Sequence, residues 1–201
     1  MRNTNLQAMI EAAILAAFAL VIDILPLSVK FPAGGSISFA MIPIFIVAYR
    51  WGFKASFLSG LVWGLLQIVV GNAYILTPVQ AFIEYFIAFS FIGFAGLFYS
   101  SIQQALANRR KIKAIVYIVI ATFIGSLARY FCHFIAGVIF FGQYAPKGQS
   151  AVLYSFIYNG ITMIGSFALC AVLLVVLFTT APRLFTNATT NRINIKFSRH
   201  L

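Results

Sequence analysis

Acidic residues are nearly absent from this chain. Only Glu11, Asp23 and Glu84 face fourteen lysines and arginines, for a formal charge of +11, and charged residues of both signs make up 8% of 201 positions. Soluble domains carry about 25% charged residues, so a water-soluble globule is excluded. With 62% apolar residues, disorder is excluded as well. Cysteine is scarce too. Cys132 and Cys170 lie in apolar runs without CxxC spacing, which reads as two reduced, buried thiols and not as a disulfide framework or metal centre. The sequence has no GxxxxGK[ST] loop, no HExxH pair and no paired-aspartate motif, so neither a P-loop ATP site nor a zinc peptidase is expected. Ser126 and His133 stand two helical turns apart, about 10 Å, too far for a nucleophile and its base. The chain is therefore expected to be no enzyme, with no catalytic residue, metal or cofactor.

What the sequence does have is long apolar runs, at roughly 6–25, 38–50, 54–71, 77–100, 114–141 and 151–180, most of a length to cross a bilayer. They predict an all-α integral membrane protein: one membrane domain over 1–201, six transmembrane helices, and a basic tail at 181–201. The second run is short and contains Pro43. Glu11 and Asp23 lie inside the first run, against its being a cleaved signal peptide.

The basic residues set the orientation. Arg2, then Arg50 and Lys54, then Arg109, Arg110, Lys111 and Lys113, then Arg183, Arg192, Lys196 and Arg199 fall on alternate inter-helix segments, while the other side carries only Lys30 and Lys147. By the positive-inside rule both termini are cytoplasmic. Dispersed over short loops, these charges form no basic face of the kind nucleic acids need, so the expected surroundings are a lipid bilayer and no nucleic acid. Segments 26–37, 71–77 and 142–150 become outer loops.

Ionisable residues within a span are costly and mark function by default. Glu11 and Asp23 lie near opposite ends of the first helix, where a side chain reaches the interface. Glu84, Arg129 and His133 lie deeper. Counted at 1.5 Å per residue, Glu84 is about 10 Å inward from Pro78, and His133 and Asn159 are about 12 Å inward from their outer helix ends. Arg129, His133 and Gly137 follow i, i+4, i+8 and share one helix face. Tyr74, Tyr85, Tyr130, Phe141, Tyr144, Tyr154 and Tyr158 surround this layer. Two readings fit. One is an internal Glu84–Arg129 salt bridge with ordinary aromatic packing. The other is a site for a small, nitrogen-rich cation, with a carboxylate for its charge, aromatic faces for its rings, and Asn and His for orientation. Small residues also mark close packing. Gly60-Leu-Val-Trp-Gly64 and the alanines Ala12, Ala13, Ala16 and Ala17 serve either helix contacts within the chain or a face for another membrane protein.

The stretches Gly71-Asn-Ala-Tyr-Ile-Leu-Thr-Pro-Val-Gln-Ala-Phe-Ile-Glu-Tyr85, Arg129-Tyr-Phe-Cys-His-Phe-Ile-Ala-Gly137 and Tyr154-Ser-Phe-Ile-Tyr-Asn159 resemble the thiamine-specific substrate-binding subunit (S component) of energy-coupling factor transporters, the ThiT or YuaJ family. The resemblance spans most of 6–180, including the small-residue run of the first helix. It implies an S-component fold in a bacterial cell membrane, holding one thiamine near the outer surface. It also implies a generic membrane subunit and two ATPase subunits as partners. By resemblance, Glu84 meets the aminopyrimidine, and His133 and Phe141 stack on the thiazolium. Tyr154, Asn159, Tyr85, Tyr74 and Gly137 line the cavity, and Arg129 fills the basic position four before the histidine. The helix-one alanines dock the membrane subunit. Two departures stand out. Residues 26–37 contain no tryptophan where the family has one, with Phe31 as the stand-in, and position 141 is Phe where Trp is expected. Tyr154 and Asn159, about 140° apart on a helix, both face a ligand only if Tyr154 sits at the loop end. Other readings remain: a subunit for a different flat cationic vitamin, a self-sufficient proton-coupled carrier, or a membrane enzyme acting on a lipid-linked substrate.

Overall fold

The computed structural model describes residues 4–26, 28–30 and 36–187. Helix α1 spans Thr4–Ile24, and a minimal antiparallel ribbon pairs β1 (Val29–Lys30) with β2 (Ser36–Ile37). The short helix α2 (Ile42–Trp51) and α3 (Phe53–Val69) follow, then α4 (Pro78–Ala107), α5 (Lys111–Phe140) and α6 (Ala151–Thr180). Among the described residues, four helices are long and apolar enough to cross a membrane, α1 from Asn5, α4, α5 and α6. The runs read at 38–50 and 54–71 are the shorter apolar helices α2 and α3.

Helix α2 is the central strut. Every residue from Ile42 to Tyr49 is buried, as expected of a short helix that is apolar all round. Pro43 sits in its first turn, where the missing N–H has no intrahelical partner to lose. Before it, irregular backbone reaches far into the bundle. Ser38 N donates to Ser166 Oγ over 3.2 Å, and Ser166 lies fifteen residues into α6, about 22 Å along its axis. Non-helical backbone at such depth is tolerated where protein or a cavity surrounds it.

The Gly60-x-x-x-Gly64 pair packs within the chain. A Cβ at Gly60 would strike the carbonyl oxygen of Phe89, and one at Gly64 that of Tyr85, so α3 and α4 touch backbone to backbone. Helix α4 is itself irregular, widened to i→i+5 pairing over Phe82–Ala88 and tightened over Ile92–Phe98. Widened turns of this kind gather at functional sites, and this one contains Glu84 and Tyr85.

The alanines of α1 do not form one face, which corrects the expectation of a four-residue docking stripe. Ala12 and Ala16 are 6% and 0% exposed, inside the fold, and Ser59 Oγ donates to the Ala12 carbonyl over 2.7 Å. Ala13 and Ala17, turned by 100° per residue, are exposed. Glu11 is likewise not simply an interface residue. It pairs with Arg50 Nε at 2.9 Å and accepts from Trp51 Nε1 over 2.7 Å, while Arg50 Nη1 donates to the carbonyl oxygens of Arg183 and Leu184. Gln103 Nε2 donates to Tyr49 and Phe185 carbonyls at 2.6 and 2.7 Å. This polar stitching closes the end of the bundle opposite the cavity mouth. Cys132 and Cys170 are free and buried.

Candidate functional site

A cavity of about 380 Å³ lies between α1, α3, α4, α5, α6 and the segment 36–41. It extends along α6 from Tyr154 to Ser166, about 18 Å of helix. Glu84, Tyr85, Tyr74, Arg129, His133, Gly137, Phe141, Tyr154 and Asn159 all line it. Tyr154 is in the first turn of α6, the placement that lets it share the wall with Asn159. Phe31 lies outside the described residues.

Each wall is positioned by local chemistry. Thr77 caps α4 by accepting from Gln80 N over 3.1 Å, and Pro78 occupies the first turn. Fully buried Gln80 then ties loop to helix. Its Oε1 accepts from Leu76 N over 3.0 Å, its Nε2 donates to the Tyr74 carbonyl over 3.1 Å, and the same Nε2 donates to Glu84 Oε2. Tyr85 OH accepts from Tyr74 N over 2.7 Å. At the mouth, Phe141 packs against Tyr74 and Tyr144 with ring centres 6.2 and 6.1 Å apart. The Tyr144 hydroxyl, 3.4 Å from that of Tyr74, raises the Tyr74 phenol above its ordinary pKa.

In place of a direct Glu84–Arg129 salt bridge, one of the two readings of the sequence, there is a three-membered arrangement. Arg129 Nε donates to His133 Nε2 over 3.1 Å, and His133 Nδ1 lies 3.3 Å from Glu84 Oε1. Arg129 can only donate, so Nε2 is the accepting nitrogen, and Nδ1 is turned to the carboxylate. The Glu84 and His133 side chains are 14% and 23% exposed, open to the cavity and little else. The Arg129 guanidinium lies over the rings of Phe89 and Trp63, 4.4 and 5.3 Å from their centres, a stabilising cation–π geometry.

Gly137 serves helix contact more than open space. A Cβ there would collide with Ser155 Oγ and come within 3.0 Å of Asn159 Nδ2. Ser155 Oγ donates to the Phe134 carbonyl over 2.8 Å, and Asn159 Nδ2 donates to Ser155 O and Oγ, both at 3.1 Å. The glycine thus lets α5 and α6 close up and holds Asn159 in orientation.

Asp23, an ionisable candidate in the sequence, also lines the cavity, together with Gln67, Asn72 and Trp63, which sequence reading did not assign to the site. Asn72 Nδ2 donates to Gln67 Oε1 over 2.6 Å, and Gln67 Nε2 donates in turn to Asp23 Oδ2. The available signal was a glutamine deep in an apolar helix, one helical turn after Trp63. No group of three His, Cys, Asp or Glu side chains converges as a metal site among the described residues.

Known proteins similar to this chain are transporters. The family model described as "Thiamine transporter protein (Thia_YuaJ)" matches residues 9–186. The chain is 46% identical over 184 residues to "Thiamine transporter ThiT" of Bacillus subtilis (strain 168), covering 91% of this chain and 96% of that protein. It is 39% identical over 187 residues to the protein of the same name from Lacticaseibacillus paracasei, covering 92% of each. A solved structure of ThiT from Listeria monocytogenes superposes with a TM-score of 0.87 at 42% identity, covering 92% of this chain and all of that one.

Proposed function

The chain belongs to the Thia_YuaJ thiamine transporter family, and from that premise we propose that it is the thiamine-capturing subunit of an ATP-driven vitamin importer. The family's role is transport and not catalysis, and the chain is a multi-pass bacterial membrane protein. The observation that carries the finer reading is the Glu84–His133–Arg129 arrangement inside an aromatic-walled cavity. Thiamine offers what such a cavity recognises: two flat rings, an amine donor and a fixed positive charge. In the proposed pose Glu84 Oε1 and Oε2 face the aminopyrimidine, and His133 and Phe141 flank the thiazolium. Tyr74, Tyr85, Tyr154, Asn159 and Gly137 complete the wall, and Arg129 orients His133 by donating to it.

The proposal extends to topology and partners. The single membrane domain crosses the bilayer six times with both termini cytoplasmic, supported by the basic residues on alternate segments. The cavity mouth, framed by Tyr74 and Tyr144, then faces outward. The chain carries no P-loop, so the power for uptake comes from two ATPase subunits through a membrane subunit that packs on the exposed side of α1 at Ala13 and Ala17. Such packing relies on small residues and close approach.

Mass spectrometry of the small molecule retained by the chain on gentle purification tests the reading. Thiamine is the expected species, and a different vitamin in its place overturns the ligand assignment. Vesicles holding only this chain are expected to accumulate no thiamine. Accumulation driven by a proton gradient would overturn the partner assignment.

A further inference from the structure

The formal charge within the cavity does not balance, and the imbalance comes from a residue outside the proposed ligand contacts. Among the described residues, the ionisable carboxyl, guanidinium and imidazole groups that line the cavity are Asp23, Glu84, Arg129 and His133. His133 accepts from Arg129 on Nε2, faces Glu84 through Nδ1, and is counted without charge. Two carboxylates against one guanidinium leave one negative charge. Net charge in a poorly hydrated cavity is unfavourable, and a ligand carrying one positive charge neutralises it.

Glu84 and Arg129 alone would cancel, and the cavity would be indifferent to ligand charge. Asp23 supplies the difference. We propose that Asp23 sets the charge selectivity of the site: it offsets Arg129, so that the Glu84 charge remains for a monocationic ligand. This inference rests on the thiamine reading above and names the residue that makes the site prefer a cation.

The structure gives Asp23 a built setting. It comes from the last turn of α1 and shares the cavity lining with the segment 36–41. Gln67, only 2% exposed, donates to Asp23 Oδ2 and is itself oriented by Asn72 on its Oε1. This relay fixes which end of the Gln67 amide meets the carboxylate. An asparagine at position 23 still accepts from Gln67 through its own oxygen, so Asp23→Asn removes the charge and keeps the relay.

The test compares two ligands on the purified chain. One is thiamine. The other is its neutral isostere, in which an uncharged thiophene replaces the thiazolium ring. Wild type is expected to prefer thiamine. In Asp23→Asn the preference should shrink by about tenfold or more, the effect of removing one charge from the lining of a poorly hydrated cavity. Affinity for the isostere should hold or rise. Asp23→Glu should restore the preference, and Asp23→Ala gives a second neutral variant should the asparagine protein be unstable. Equal weakening toward both ligands overturns the proposal and makes Asp23 a packing residue. An unchanged preference overturns it as well. Failure of wild type to bind thiamine at all is a different result, which sinks the functional reading itself.

Discussion

Arg129 and His133, one turn apart on α5, are joined by a 3.1 Å hydrogen bond from Nε to Nε2. The bond fixes the histidine tautomer, and the tautomer decides what Glu84 meets: an N–H donor and not a lone pair. The most deeply placed cation of the cavity therefore acts on the ligand through a neighbour. Arg129→Lys keeps the charge but gives up the planar donor and the face stacked on Phe89 and Trp63, so it is not conservative here. Thiamine affinity is expected to fall by about tenfold. Calorimetry of the lysine variant at wild-type affinity would remove Arg129 from the account.

Glu84→Gln preserves shape and removes the charge that faces the ligand. Breaking a buried charged pair costs about 3–5 kcal/mol, or about two to three and a half decades in affinity. His133→Ala should cost less, about a kcal/mol or two for lost ring contact. The order of the two losses, read by calorimetry on both variants, is the check. A histidine variant weaker than the glutamine variant would place the main anchor on the ring.

Gly137→Ala introduces a methyl group into Ser155 Oγ and Asn159 Nδ2. Overpacking of this kind costs about 1–3 kcal/mol, and here it also turns Asn159 from its place. Both thermal stability and thiamine affinity should drop. A stable variant with intact binding would show that α5 and α6 can part freely at this level.

Trp51 and Trp63 are the chain's two tryptophans, and they sit in different settings. Trp51 donates to Glu11 at the stitched end, whereas Trp63 lines the cavity beside Arg129. Thiamine should change the emission of Trp63 alone, and Trp63→Phe should abolish the response. A response that persists in Trp63→Phe would locate the ligand near Trp51, at the far end of the bundle.

The two pairs of helix-one alanines should separate in assay. Ala16→Trp places a large ring where exposure is 0%, so folding and thiamine binding fail together. Ala13→Trp, on the open side, should leave binding to the isolated chain intact while cellular uptake collapses. Uptake at the wild-type level in Ala13→Trp would end the docking proposal for this face.

Much of this arrangement was legible in the sequence. The nine candidate positions line one cavity: depth and periodicity bring Glu84, Arg129, His133, Gly137 and Asn159 to one region, and the resemblance supplied the lining roles of the tyrosines and Phe141. Arg129, His133 and Gly137 fall on one face of any helix. The roles were less legible. Charge complementarity allowed a Glu84–Arg129 bridge as one of two readings, but only the packing of α5 against α4 could show His133 placed between them. The alanine stripe was read as one face because four-residue spacing is common to both pairs, and the sequence does not say which pair meets α3. Asp23 looked like an interface residue because its depth was counted along α1 alone. Its place in the cavity wall depends on Gln67, far along the chain, which donates to Asp23 Oδ2.

The central claim is that this cavity holds thiamine, and equilibrium titration of thiamine into the purified chain tests it most directly. The account predicts saturable binding of one molecule per chain, lost by about two decades or more in Glu84→Gln. A folded chain that gives no saturable binding of thiamine, or binds it equally well without the Glu84 charge, would contradict it.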